Sequence, residues 1–172
     1  VEDVEKIIDV VWSDTHHNSS QRDTQKIPHI DFATSIRKSF VNRIATELSN
    51  NSNIEVENYA NNLLLWASTE GNANIVRRLI DRNTHLDINI ANCDKMTPLA
   101  LASMNGHLEV VRLLVGAGAK IELPDRKGQT ALHHSAKMGH SDVVEFLARS
   151  SDPNIRDRFK WTPLMTASSM DH

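Results

Sequence analysis

Nine histidines and one cysteine are the side chains of this 172-residue chain best equipped to bind a metal or to act as nucleophiles, so their spacing is the first question. His16-His17 and His133-His134 are adjacent pairs, and neighbours on a helix point in different directions, so neither pair offers two ligands to one ion. No His-Glu-x-x-His and no Cys-x-x-Cys occurs. Cys93 has no nucleophile signature around it and no second cysteine to pair with, which favours a reducing compartment. Gly116-Ala-Gly118-Ala-Lys120 has glycines spaced somewhat like a phosphate loop, but that motif needs a Gly-Lys-Ser/Thr step opening a helix, where backbone amides converge on phosphate. These glycines instead follow an apolar run and end a helix. Ser141-Asp142 lacks the context of a nucleophile elbow. The residues therefore point to no catalytic, cofactor-binding or metal site, and an enzyme is not expected.

The elements that carry these residues repeat. Thr97-Pro-Leu-Ala-Leu-Ala-Ser-Met-Asn-Gly-His107 aligns with Thr130-Ala-Leu-His-His-Ser-Ala-Lys-Met-Gly-His140 at an offset of 33, and with Thr162-Pro-Leu-Met-Thr-Ala-Ser-Ser-Met-Asp-His172 after 32 more. Asn62-Leu-Leu-Leu-Trp-Ala-Ser-Thr-Glu-Gly-Asn72 precedes the first by 35. A second half recurs as well: Ile75–Ile80, Val110–Val115 and Val143–Ala148 share one pattern. The physical reading is a helix pair per unit. Thr97 caps a first helix with its hydroxyl, and Pro98 occupies the first helical position, where no amide donor is missed. Leu99, Leu101 and Ala102 supply a small apolar surface, and Gly106 ends the helix in the left-handed conformation. Val110, Val111, Leu113 and Leu114 then make an amphipathic second helix, stopped by Gly118 before a polar loop from Lys120 to Gln129. One such pair cannot bury its own apolar face, so neighbouring pairs must stack.

On these residues, from 62 to 172 and about two-thirds of the chain, the sequence resembles the ankyrin-repeat family, whose period and Thr-Pro-Leu-His-x-Ala signature it carries. The resemblance implies an all-α repeat solenoid of stacked helix-turn-helix units with short β-turn fingers. It implies repeats near 58–91, 92–124, 125–156 and a truncated 157–172, within a domain spanning 56–172. It also implies that His107, His133 and His140 are hydrogen-bonding parts of the turns. Departures from the pattern mark weak points: Asn62 and Leu63 replace Thr-Pro, Arg78 stands where Leu113 does, and two extra residues lie between Leu79 and Asn92. The first unit is thus a worn or capping repeat. The glycine matching Gly118 is absent from Ser150-Ser151-Asp152-Pro153, so that helix end should be set less tightly, and Asp171 replaces the glycine of the last unit.

Residues 1–55 lack the repeat and read as a helical N-terminal cap or linker. Val4, Ile7, Ile8, Val11 and Trp12 share one helical face, and Phe32, Ile36, Phe40, Ile44 and Leu48 another between Asp31 and Leu48. Ser13 to Gln25 is a polar loop, and Ser49 to Asn53 breaks the second helix. From Val56 and Tyr59 a helical period continues straight into the first repeat, leaving no room for a finger. The segment either caps the open end of the stack or is a hinge to an upstream domain. Because Val1 is not methionine and the last unit stops at His172 after its first helix, a fragment of a longer protein is expected at both ends. The two Asn-x-Ser matches at Asn18 and Asn50 are read as plain loop residues.

Bulk properties narrow the function. Hydrophobic residues make up 40% and charged residues 24%, a globular balance, and the net charge is −3. Residues 1–61 hold 6 basic and 10 acidic side chains, and 62–172 hold 13 and 12, so neither half is a polycation built for phosphates. Asp125 and Asp157 dilute the field of the basic finger residues, so no nucleic-acid partner is expected. No membrane partner is expected either: no run approaches the roughly 18 consecutive apolar residues needed to span a bilayer, and no secretory signal is present. In the family, partners are gripped by finger tips and by the exposed, concave face of the first helices. The offsets place Cys93, Asp94, Lys95 and Met96 at one tip. Arg126, Lys127 and Gln129 form the next, and Arg158, Phe159, Lys160 and Trp161 the last. From the helices come Thr69 and Glu70, Met104 and Asn105, Lys137 and Met138, and Ser169 and Met170. Methionine, aromatic and arginine side chains are what interfaces enrich. The expected partner is a protein or peptide, acidic and partly apolar, with no small-molecule substrate, and the expected location is the cytoplasm, with the nucleus as the alternative. The expected role is an interaction scaffold, or else the regulatory or targeting arm of an enzyme of NTPase or kinase type whose catalytic domain lies elsewhere. These positions are expected to line a concave groove; against it stands a plainer reading, in which Trp161 and the methionines pack on neighbouring fingers or on a further repeat downstream.

Overall fold

The computed structural model describes residues 53–82 and 86–170, with the backbone alone for 53–59 and Arg82. The two helices and the loop expected between Val4 and Leu48, and most of the break at Ser49 to Asn53, lie outside the described residues. The chain divides into two compact units, Val1–Ala60 and Asn61–His172. The described residues hold seven helices and no strand: α1 (Asn53–Thr69), α2 (Ala73–Arg82), α3 (Pro98–Met104), α4 (Leu108–Gly116), α5 (Ala131–Lys137), α6 (Ser141–Ala148) and α7 (Pro163–Ser168). This is an all-α repeat solenoid. The first helices α3, α5 and α7 pack side by side in one layer, the second helices α2, α4 and α6 in another, and α3 and α5 each pack against their own second helix.

Local chemistry sets the helix ends. The Thr97 hydroxyl accepts the Ala100 amide at 3.2 Å and the Thr162 hydroxyl accepts the Met165 amide at 3.3 Å, each with proline at the first helical position. α1 has no such cap at Asn62 and runs through it unbroken, as the missing Thr-Pro requires. At the far end of α3, Gly106 takes φ +73°, which lets the His107 amide reach the Ala102 carbonyl at 2.9 Å. A β-carbon on Gly106 would lie 2.6 Å from the His140 ring of the next repeat, so the glycine also makes room for a neighbour.

The core is the apolar face that each pair shows to the next. Leu64, Val76 and Leu79 of the first repeat, Leu99, Val110, Val111 and Leu114 of the second, and Leu132, Val143 and Leu147 of the third are fully buried. Each contributes about 1.5–3 kcal/mol relative to exposure. The same register in α7 behaves differently: Leu164 is 78% exposed, against 1% for Leu99 and 2% for Leu132, because no second helix packs on α7 among the described residues.

Two sets of polar links join the repeats. The His107 Nε2–H donates to the Thr69 carbonyl and the His140 Nε2–H to the Met104 carbonyl, both at 3.0 Å. On the loops after the second helices, the Lys120 and Asp152 amides donate to side-chain oxygens of Asn89 and Glu122 in the preceding unit, and the Asp87 amide donates to Asn61 within the first repeat. The glycine-free end of α6 closes by different means from α4. Where the Ala119 amide returns to the Leu114 carbonyl at 2.9 Å, the Leu147 carbonyl takes the Ser151 hydroxyl at 2.9 Å, and the Asp152 amide goes to Glu122 instead. A hydroxyl here replaces the backbone bond that a left-handed glycine permits.

Candidate functional site

The three fingers are copies of one hairpin turn. Asn92, Asp125 and Asp157 each stand five residues before a helix-capping threonine and accept two backbone amides on one side-chain oxygen. Asn92 takes Asp94 and Met96, both at 2.9 Å; Asp125 takes Lys127 at 2.7 Å and Gln129 at 2.8 Å; Asp157 takes Phe159 at 2.8 Å and Trp161 at 2.9 Å. The main chain of each head residue also pairs with that of the residue four along, as in Asp157 N–H to Trp161 C=O at 3.0 Å. The fourth residue of each tip has positive φ: Lys95 at 61°, Gly128 at 80° and Lys160 at 65°. Gly128 is required on a second count, since a β-carbon there would lie 2.8 Å from the Arg158 amide nitrogen.

Neighbouring fingers are tied together. The Arg126 amide donates to the Asp94 carbonyl at 3.1 Å, the Arg158 amide to the Lys127 carbonyl at 3.0 Å, and the Gln129 side-chain amide to the Asp157 carboxylate at 3.3 Å. The backbones of Arg126, Lys127, Gln129, Arg158, Phe159 and Trp161 therefore lie on two fingers joined edge to edge. Phe159 is 68% exposed, and Trp161, at 43%, has the larger part of its surface covered. Met138, at the end of α5, is 50% exposed; Lys137 beside it is half-buried. Met96 and Met104 are half-buried, and the Met104 carbonyl serves the His140 link. Asn105 is exposed, but its side-chain amide turns back to the Leu101 carbonyl at 2.9 Å and finishes its own helix.

The adjacent histidines of α5 go to different fingers. His133, fully buried, accepts the Thr130 amide on Nδ1 at 3.3 Å and donates from Nε2 to the Trp161 carbonyl at 3.0 Å. His134 donates from Nε2 to the Asp125 carboxylate at 3.2 Å. Burial holds the His134 imidazole below its ordinary range, while Asp125 pulls in the opposite direction. Among the described residues, no three His, Cys, Asp or Glu side chains are grouped as metal ligands require, and no helix is long and apolar enough to cross a membrane. Reading Asp125 and Asp157 only as charges that dilute a basic field missed their work: both are buried and spent on finger amides. Their recurrence five residues before each threonine was the available signal.

Comparisons with known proteins agree with this geometry. A family model described as ankyrin repeats in three copies matches residues 33–125 and 117–172. The chain is 34% identical over 86 residues to the mouse Protein fem-1 homolog A-like, covering 50% of this chain and 13% of that protein. It is 32% identical over 108 residues to the Probable 26S proteasome regulatory subunit p28 of Saccharomyces cerevisiae, covering 62% and 47%. It is 36% identical over 83 residues to Notch-regulated ankyrin repeat-containing protein A of Danio rerio, covering 47% and 74%.

Proposed function

The chain belongs to the ankyrin-repeat family, and on that premise we propose that it is a scaffold that binds a partner protein or peptide through its finger tips and the concave face of its first helices. Repeats of this kind are generally protein-interaction modules. The observation that carries the reading is the combination of a finger backbone hydrogen-bonded at its head with exposed Phe159, Trp161 and Met138. Large side chains held in water on an ordered frame are the usual anchors of an interface, because little entropy is lost when they are covered. Met96, Met104, Asn105, Lys137 and the basic tips extend the surface. We take the partner to be acidic and partly apolar, the module to be non-catalytic, and its compartment to be the cytoplasm or nucleus, which suits the exposed thiol of Cys93.

A second reading, the regulatory or targeting arm of a multidomain enzyme, draws on one observation. The chain spans 13% of the fem-1 homologue and 47% of the proteasome subunit, so similar modules serve within longer proteins. A Walker or kinase motif in the same reading frame would establish it. The scaffold itself is tested by panning a displayed random-peptide library on the chain. Binders should be recovered, and Trp161→Ala with Met138→Ala should abolish their capture while the circular-dichroism melt stays unchanged. Binders indifferent to both substitutions would refute the surface assignment.

A further inference from the structure

Charge is divided unevenly along the row. Among the described finger and helix-end positions, the first two repeats present Glu70, Asp94 and Lys95 to solvent, a small negative balance. At the same positions the last two present Arg126, Lys127, Arg158 and Lys160, with half-buried Lys137 beside them and no exposed carboxylate. The two acids in that stretch, Asp125 and Asp157, are buried under their own turns. Salt bridges found elsewhere, Arg77 with Glu109 and Arg149 with Glu145, lie on the second helices, and the five cations form none among the described residues.

The frame beneath them is also uneven. The Trp161 amide is held by Asp157, and its carbonyl accepts two donors, the Asp157 amide and His133 Nε2–H. The main chains of Met96 and Gln129 hold the same place in their fingers with only the turn's own bonds, because Leu65 and Ala100 stand where His133 does in the repeat behind. The exposed Phe159 and Trp161 thus sit on the finger whose fifth carbonyl takes an added donor from the repeat behind.

Resting on the scaffold reading, we infer that docking is confined to the last two fingers, and that they take an acidic peptide segment carrying one large apolar side chain seated on Trp161. Acidic side chains of the guest lie along Arg126, Lys127 and Arg158, where charge complementarity guides encounter, and the apolar residue is desolvated against the indole and Met138. Glu70 and Asp94 repel the same segment, which keeps it off the first two repeats.

The composition of the panned binders tests this. Sequences recovered on the intact chain should be enriched in Asp and Glu with one aromatic or long aliphatic residue. Arg126→Glu with Arg158→Glu should weaken a recovered peptide more than about tenfold, with a steep salt dependence, whereas Lys95→Glu should change it less than about threefold. Binders that are lost on Trp161→Ala but lack acidic enrichment, or that respond to Lys95→Glu and not to the arginine pair, overturn the inference and leave the scaffold intact. Recovery of no binders at all defeats the scaffold reading instead. A single-stranded oligonucleotide that displaces the recovered peptide, or self-association that Trp161→Ala abolishes, assigns the basic row to another occupant and also overturns it.

Discussion

Replacing Asp157 by alanine removes the acceptor for two backbone amides, at 2.8 Å and 2.9 Å, and for the Gln129 side chain at 3.3 Å. A hydrogen bond to a charged group is worth about 1.5–3 kcal/mol when its partner is left buried, but water reaches these amides at an exposed tip, so the loss falls toward that of a helix cap. The expected cost for the finger is about 2 kcal/mol. Because each repeat contacts only its neighbours, the loss stays local. Amide hydrogen exchange of Phe159 and Trp161 should accelerate roughly thirtyfold, the factor that 2 kcal/mol sets, while amides around Leu114 hold their rates. Asp157→Asn is the control, since Asn92 already performs the same task with a carboxamide oxygen in the first finger. It should cost less than about 1 kcal/mol. Exchange at 159 and 161 changing less than about twofold in the alanine variant, or asparagine proving as costly as alanine, would refute the argument that one side-chain oxygen organises each tip.

Two further outcomes follow from the same bonds. Burial lowers the folded pKa of His134, so its stabilising contribution is complete above the unfolded value near pH 6.5 and is lost as pH falls below that toward the folded value. His134→Leu, which copies Leu101 of the preceding repeat, should flatten the stability slope between about pH 7 and 5.5 in urea titrations; an unchanged slope counts against the assignment. Gly106→Ala forces a β-carbon into a left-handed residue and to within 2.6 Å of the His140 ring, so it should cost at least about 1–2 kcal/mol and lower the melting temperature by several degrees, whereas a neutral outcome shows that the histidine link gives way freely.

The sequence stated the repeat far more fully than it stated the finger surface, and the reason is physical. Thr97, Pro98, Gly106 and the leucines of α3 act through short-range capping, left-handed turns and apolar period, all of which are local and recur at matched offsets. His133 could be assigned to a structural role from its place in the signature, but its acceptor, the Trp161 carbonyl, lies 28 residues away and depends on how one repeat seats on the next. The side-chain oxygens at the head of each finger bond amides only two and four residues along, and their recurrence was visible, but their task was not. An aspartate seen as a charge and an aspartate folded under its own turn have the same letter, and only the path of the backbone from 157 to 161 separates them.

That path also explains how one frame can carry different surfaces. At the head of the finger the residue is Asn92, Asp125 or Asp157, because two amides must be satisfied by a short side-chain oxygen. At the fifth position it is Met96, Gln129 or Trp161, three side chains with nothing in common, because their amides and carbonyls are already satisfied by the turn and none of the three is fully buried in the core. Positions freed in this way can change without a stability penalty from lost backbone pairing, which makes them the natural place for specificity to reside. Gly128 defines the boundary of that freedom: it is at a tip, yet its missing β-carbon is what lets the Arg158 backbone approach, so it answers to stacking rather than to a partner.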